Sequence, residues 1–346
     1  VDRGFVRRWS GLVVGAVLAT AGLSGLAGCS SADGPPILRL GYFPNLTHAT
    51  PIVGVQKGFF AQELGSDVKV ETSTFNAGPA AVQALFSGAV DAVYLGPGPT
   101  LNAWQQSKGK ALTVVAGAAS GGAFLVTRPG ITSPEQLRGK KLATPQLGNT
   151  QDVALRYWLK EHGLKTTRDG GGDVQVLPQD NAQTVTAFVS GAIDGAWVPE
   201  PYATRLRAAG GRVLVDERDL WPGGTFVVTN LVVSQKFLAG HRDLVKKLIT
   251  GQVAANEFIN AHPDEAQKVV SEGIGKLAGK PLDLTQTAQA WTSLRFLDDP
   301  VGSSLRECAR HAHEVGLLDA VNLDGLYDLS LLNEVLTARG QPAVAA

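Results

Sequence analysis

Cysteine is almost absent from this sequence. Of 346 residues only Cys29 and Cys308 carry a thiol, so neither a disulfide framework nor a cysteine-based metal spacing organises the chain. An excess of either charge is missing too. The 31 Lys and Arg balance the 31 Asp and Glu, which leaves no global field to draw in nucleic acid. There is no GxGxxG, no Walker sequence and no GxSxG, the spacings that hold a dinucleotide, a nucleotide phosphate or a nucleophilic serine. His311 and His313 stand two apart in a helical pattern, where they do not share a face. Asp298-Asp299 and Asp216-Glu217-Arg218-Asp219 read as solvated turns. The expectation is a protein that is not an enzyme and needs no metal or cofactor.

What is present begins at the N-terminus. Arg3, Arg7 and Arg8 precede an apolar run from Gly11 to Gly28, which closes on Leu26-Ala27-Gly28-Cys29. That order is a secretory signal, residues 1–28, whose cleavage exposes Cys29 for lipid. A membrane-spanning anchor is the competing reading, but the run is rich in Gly and Ala and breaks at the cysteine. Ser30 to Pro36 forms the rest of a tether over 29–36. The folded part is expected outside the cytoplasmic membrane, held to its outer face by the lipid. Cys308 reads as a small buried hydrophobe.

From Ile37 onward the pattern alternates strand and helix. Strands are expected at 37–41, 68–72, 92–95 and 112–116, with helices at 51–64, 79–86 and from about Thr100. A second alternation follows Gly121-Gly122: strands at 140–144, 174–177, 193–198 and 213–215, helices at 149–161, 182–189 and after Pro201. The chain crosses back near Gly223-Gly224 to a strand at 226–233, then runs mainly helical. Such alternation implies mostly parallel sheets with helices on both faces, and the length favours two lobes.

One sentence is written twice. Ser87-Gly88-Ala89-Val90-Asp91 and Ser190-Gly191-Ala192-Ile193-Asp194 lie 103 residues apart, and each is followed by a strand and a proline-rich loop. At the same offset Asn76-Ala77-Gly78 falls opposite Gln179-Asp180-Asn181. One copy per lobe predicts a clamshell, with the chain divided into 37–121 plus 226–346 and 122–225, and with strand ends facing one cleft.

Leu40-Gly41-Tyr42-Phe43-Pro44-Asn45-Leu46-Thr47-His48, Lys57-Gly58-Phe59-Phe60, Phe75-Asn76-Ala77-Gly78-Pro79 and Trp197-Val198-Pro199-Glu200-Pro201 together resemble the substrate-binding proteins of ABC importers in the nitrate/sulfonate/taurine group. The resemblance covers roughly 37–336. It implies an α/β, two-lobed type II periplasmic-binding-protein fold, working as a monomer that delivers a small anion to a membrane permease and its ATPase. Two departures leave the ligand open: Val198 extends the family's Trp-Glu-Pro pattern, and Leu147-Gly148-Asn149-Thr150 stands where Gly-Ser-Ser is usual. An aliphatic sulfonate is expected, with nitrate, taurine or a thiamine-precursor pyrimidine, or an enzyme on the same fold, as alternatives.

The candidate ligand residues are those at strand ends and helix starts, where free N–H groups suit an anion. Asn76, Gly78, Asn149 and Thr150 open helices; ordinary capping explains them equally. Asn45, Thr47 and His48 follow the first strand, and Gly96 and Pro97 follow the third. Gly121 and Gln146 lie near the crossings. Trp197 is read as an apolar wall or a buried strand aromatic, and Glu200 as a ligand contact or a helix cap; both pairs of readings stay open.

Overall fold

A computed structural model describes residues 36–346; the expected signal segment and Cys29 lie outside them. Eleven strands are found among the described residues: β1 (Ile37–Tyr42), β2 (Lys69–Thr74), β3 (Ala92–Leu95), β4 (Leu112–Gly121), β5 (Ala123–Thr127), β6 (Lys141–Thr144), β7 (Gln175–Pro178), β8 (Gly195–Pro199), β9 (Arg212–Asp216), β10 (Val227–Ser234) and β11 (Leu294–Phe296). They form two sheets, ordered β11-β4-β10-β3-β1-β2 and β7-β6-β8-β5-β9.

Both sheets follow one plan. In each, three strands run parallel, β2-β1-β3 and β7-β6-β8. Beside each trio runs a reversed strand, β10 against β3 and β5 against β8. The reversed strands are the first in each lobe after the chain arrives from the other, and they make the sheets mixed where mostly parallel ones were expected: four strand pairings are parallel and five antiparallel.

The duplicated pentapeptide now has a physical account. Helices Gly78–Ser87 and Asn181–Ser190 both end on a glycine in the left-handed region, Gly88 at φ +74° and Gly191 at φ +84°, a conformation glycine adopts without strain. The aspartates that follow tie the middle strand of each parallel trio, β1 and β6. Asp91 Oδ2 accepts the N–H of Arg39 at 2.9 Å, and Asp194 Oδ2 accepts that of Lys141 at 2.9 Å. The backbone N–H groups of Asp91 and Asp194 donate to the same two residues' carbonyls, each at 2.8 Å.

Several expectations shift. The single helix read over 51–64 is two, Ala49–Gln56 and Phe59–Leu64, because Gly58 at φ +76° turns the chain between them. The helix expected from about Thr100 starts at Pro97, whose fixed φ suits the first helical turn. Two strands escape the reading: β5 lies directly after the Gly121-Gly122 crossing, and β11 falls in the stretch read as mainly helical, just after helix Leu284–Trp291.

The first sheet buries β1, β4 and β10 against the long helix Arg242–Ala261 and its neighbours, with Leu40, Val115, Leu231, Leu248 and Val253 nearly inaccessible. The second sheet packs Leu142, Leu155, Trp158, Val176 and Trp197 on one face and Phe124, Ala196, Val198 and Leu206 on the other. No helix among the described residues is long and apolar enough to cross a membrane.

Candidate functional site

Six segments leave the carboxyl ends of parallel strands and meet in one place. Phe43, Asn45, Thr47 and His48 follow β1; Asn76 and Ala77 follow β2; Gly96 follows β3. From the second sheet come Asn149, Thr150 and Gln151 after β6, Asn181 after β7, and Pro199 at the end of β8. With Val228 they enclose a cavity of about 20 Å³, large enough for a water molecule or two. The two lobes are closed on it.

The lining is polar but carries almost no charge. His48 is its single titratable residue. That imidazole is buried, and desolvation pushes its pKa down to about 3. The N–H of Phe43 donates to His48 Nδ1 at 3.3 Å. Since a backbone N–H can only donate, Nδ1 is the acceptor, and the neutral ring's proton sits on Nε2. The ring also lies 4.4 Å, centroid to centroid, from that of Phe43.

Opposite His48 stands the start of helix Thr150–Glu161. The first-turn N–H groups of Thr150 and Gln151 have no acceptor within the helix. Asn149 occupies the capping position without capping; its amide donates instead to Gln151 Oε1 at 3.4 Å. A buried carboxylate holds this turn. Asp152 accepts from Thr144 Oγ1 (2.9 Å), Gly148 N–H (3.0 Å) and Arg156 Nε (3.1 Å), which fixes the loop between β6 and the helix. Asn181 adds a buried Oδ1 with no hydrogen-bond partner. The arrangement offers helix-end N–H groups, amides and one imidazole N–H to a small guest, and presents no carboxylate to it.

Residues 31–274 match the NMT1-like family. The taurine-binding periplasmic protein of Escherichia coli (strain K12) is 31% identical over 77% of this chain and 83% of its own length. The chain belongs to the NMT1-like family, among the substrate-binding proteins of ABC importers. Its fold is that of the periplasmic nitrate-binding protein NrtA from Synechocystis PCC 6803, with a TM-score of 0.74 at 15% identity, covering 87% of this chain and 88% of that one. It is also that of the alkanesulfonate-binding protein SsuA from Xanthomonas axonopodis pv. citri, there bound to MOPS, with a TM-score of 0.68 at 20% identity over 84% and 96% of the two chains. The two-lobed type II fold implied by the sequence resemblance is the fold of this NMT1-like protein.

Seven of the sequence-derived candidates line the cavity: Asn45, Thr47, His48, Asn76, Gly96, Asn149 and Thr150. Gly78 sits just behind it, where a Cβ would lie 2.0 Å from Pro99 Cγ and 3.4 Å from Asn149 Oδ1; its smallness lets the start of its helix pack against Pro99 of the same lobe. Pro97 begins its helix, Gln146 accepts the Asn149 N–H at 3.0 Å through its backbone carbonyl, and Gly121 (φ +81°) makes the first crossing. These three support the site without lining it.

Two candidates belong elsewhere. Trp197 is fully buried on β8, its ring edge-on to Trp158 and its Nε1 donating to Glu217 at 2.7 Å. Of β8, its last residue, Pro199, is the one that reaches the cavity. Glu200 is likewise buried and accepts from Thr204 N–H (3.0 Å) and Oγ1 (2.9 Å). From the residue before the N-cap Pro201 it satisfies a first-turn N–H of helix Tyr202–Ala208, and burial raises its pKa. The residues missed were Phe43, Ala77, Gln151, Asn181, Pro199 and Val228. Asn181 was within reach, since the 103-residue offset sets it opposite Gly78.

Proposed function

We propose that this protein is the receptor of an ABC importer for a small organic anion, with a simple aliphatic sulfonate as the first choice. The observation that carries the reading is a closed interlobe cavity whose polar lining is donor-rich, neutral and free of carboxylates. A sulfonate's oxygens accept from helix-start N–H groups, Asn amides and His48 Nε2–H, the donors that stabilise an anion without a formal counter-charge. Taurine fits less well, because its ammonium would find only amide oxygens such as Asn181 Oδ1.

Nitrate is the second reading, favoured by the small enclosed volume. In either case the lobes part to admit the ligand, turn about the crossings at Gly121-Gly122 and Gly223-Gly224, and close over it. The closed form then docks on the permease, while lipid on Cys29 holds the receptor at the outer face of the membrane. Binding returns the ligand chemically unchanged.

The test is a thermal-shift panel on residues 30–346 with methanesulfonate, ethanesulfonate, taurine, nitrate and a hydroxymethylpyrimidine. Alkanesulfonates are expected to raise the melting temperature most, by mass action on the closed form. No shift with any of the five at saturating concentration overturns the anion reading; a shift with taurine or the pyrimidine alone overturns the sulfonate assignment.

A further inference from the structure

A second and larger cavity, about 470 Å³, lies between helix Thr150–Glu161 and helix Gly302–Glu314. That is the size of a small-molecule site. A void of only about 10 Å³ separates it from the anion cavity, touching Thr150 on one side and Glu217 on the other. The walls are aromatic and come from both lobes. Tyr157 and His311 stack with centroids 3.6 Å apart and planes at 12°, and the Trp221 ring stands 5.6 Å from His311. Trp158 completes the enclosure.

At the floor is Glu217, only 3% exposed. One of its oxygens accepts the Trp197 indole N–H at 2.7 Å, and the Trp221 indole is its other donor. No Lys or Arg pairs with it among the described residues. Burial without a counter-charge pushes its carboxyl up to about 7. Two further carboxylates, Glu161 and Glu307, line the cavity. Its one guanidinium, Arg310, is already shared between Glu307 and Glu314 and lies over the Tyr157 ring.

An anion entering here would meet an excess of negative charge. A neutral apolar guest would leave Glu217 with its indole donors and no counter-charge. A flat ring bearing an ammonium satisfies both surfaces, since aromatic faces attract cations and a buried carboxylate gains most from a counter-charge. We propose that this cavity is a binding site for an arylalkylamine, the ring lying against Trp158, Trp221 and the Tyr157–His311 pair and the ammonium against Glu217.

Phenethylamine is the probe, with phenylacetate and 2-phenylethanol as its anionic and neutral counterparts. Calorimetric titration of the wild type, with tryptophan fluorescence alongside, is expected to show phenethylamine binding roughly tenfold or more tighter than either counterpart. Saturating methanesulfonate is expected to leave that binding in place. Glu217→Gln should bring the three compounds to similar affinity. Ala154→Phe, which fills the cavity from the helix side, should remove all binding, with circular dichroism confirming that both variants fold. Absence of phenethylamine binding, equal affinity for all three compounds in the wild type, or displacement by methanesulfonate overturns the proposal. The wild-type comparison decides even if a variant does not fold.

Discussion

The N–H of Gly98 donates to Thr150 Oγ1 at 3.4 Å, so a helix start of the first lobe touches a helix start of the second. Space there is minimal. A Cβ on Gly98 would lie 2.9 Å from the Thr150 nitrogen and 3.0 Å from the Gly148 carbonyl oxygen. Both are backbone atoms and cannot rotate away. Gly98→Ala is expected to fold normally but to hold the lobes apart, weakening ligand binding by roughly tenfold, as when a binding-competent state is depopulated. Small-angle scattering checks it: the variant's radius of gyration should fail to contract on adding ligand. Contraction equal to the wild type's would count against Gly98 as the contact that limits closure.

The twin aspartates allow a paired experiment. Asp91→Ala and Asp194→Ala each leave a strand N–H without its acceptor, at a cost of about 1–3 kcal/mol. Because the two ties lie in different sheets and share no partner, the double variant should cost the sum of the singles. Urea unfolding of the three proteins measures this. Strong non-additivity would mean the sheets are coupled through these residues.

His48 makes a prediction about pH. Its pKa is held at about 3, far below the ordinary histidine value, so the ring stays neutral across the physiological range. Anion affinity should therefore be flat from about pH 5 to about pH 8. An imidazolium-based site would instead tighten as pH falls through about 6.5. Titrations at four pH values separate the two. The same depressed pKa means that His48 favours the folded state fully above the unfolded value and that this contribution is lost as pH falls towards 3.

Glu217 acts with the opposite sign. Its folded pKa of about 7 exceeds the ordinary 4.5, so the folded state keeps the proton more tightly. Its contribution to stability is fully present below about 4.5 and is lost as pH rises through 7, a swing on the order of 3 kcal/mol. Asp298, raised by burial to about 6, pulls in the same direction, whereas His48 and His311, lowered to about 3 and about 4, pull against it. The difference between wild type and Glu217→Gln isolates the one group. The variant should gain on the wild type as pH rises from about 5 to about 8; parallel stability curves would show that Glu217 does not titrate in that window.

The sequence made the two-lobed plan legible because a repeat needs only local chemistry. A glycine that must turn left-handed and an aspartate that must reach a strand N–H leave the same letters wherever the unit recurs. The helix starts at Asn76 and Asn149 were readable for the same reason. Side-chain direction was not. Trp197 sits between Ala196 and Val198 on a five-residue strand buried on both faces, where alternation carries no polar-apolar contrast to mark the cavity side. Glu200, just past that strand, had a capping role and a ligand role open to it, and only the placement of Thr204 separates them. The Glu217 floor was read as part of a solvated turn, since four charged residues in a row give no hint that the second turns inward between two indoles.

Strand order bears on how the protein assembles. β3 and β4 are consecutive in the chain, yet β10 lies between them and bonds to both. The first sheet therefore stays in two pieces until Ser234 is available, and its edge waits for Phe296. Every strand of the second sheet falls within 123–216. On a chain that emerges from its N-terminus, the second sheet has all its strands before the first sheet has its own, and the lobe that starts first finishes last.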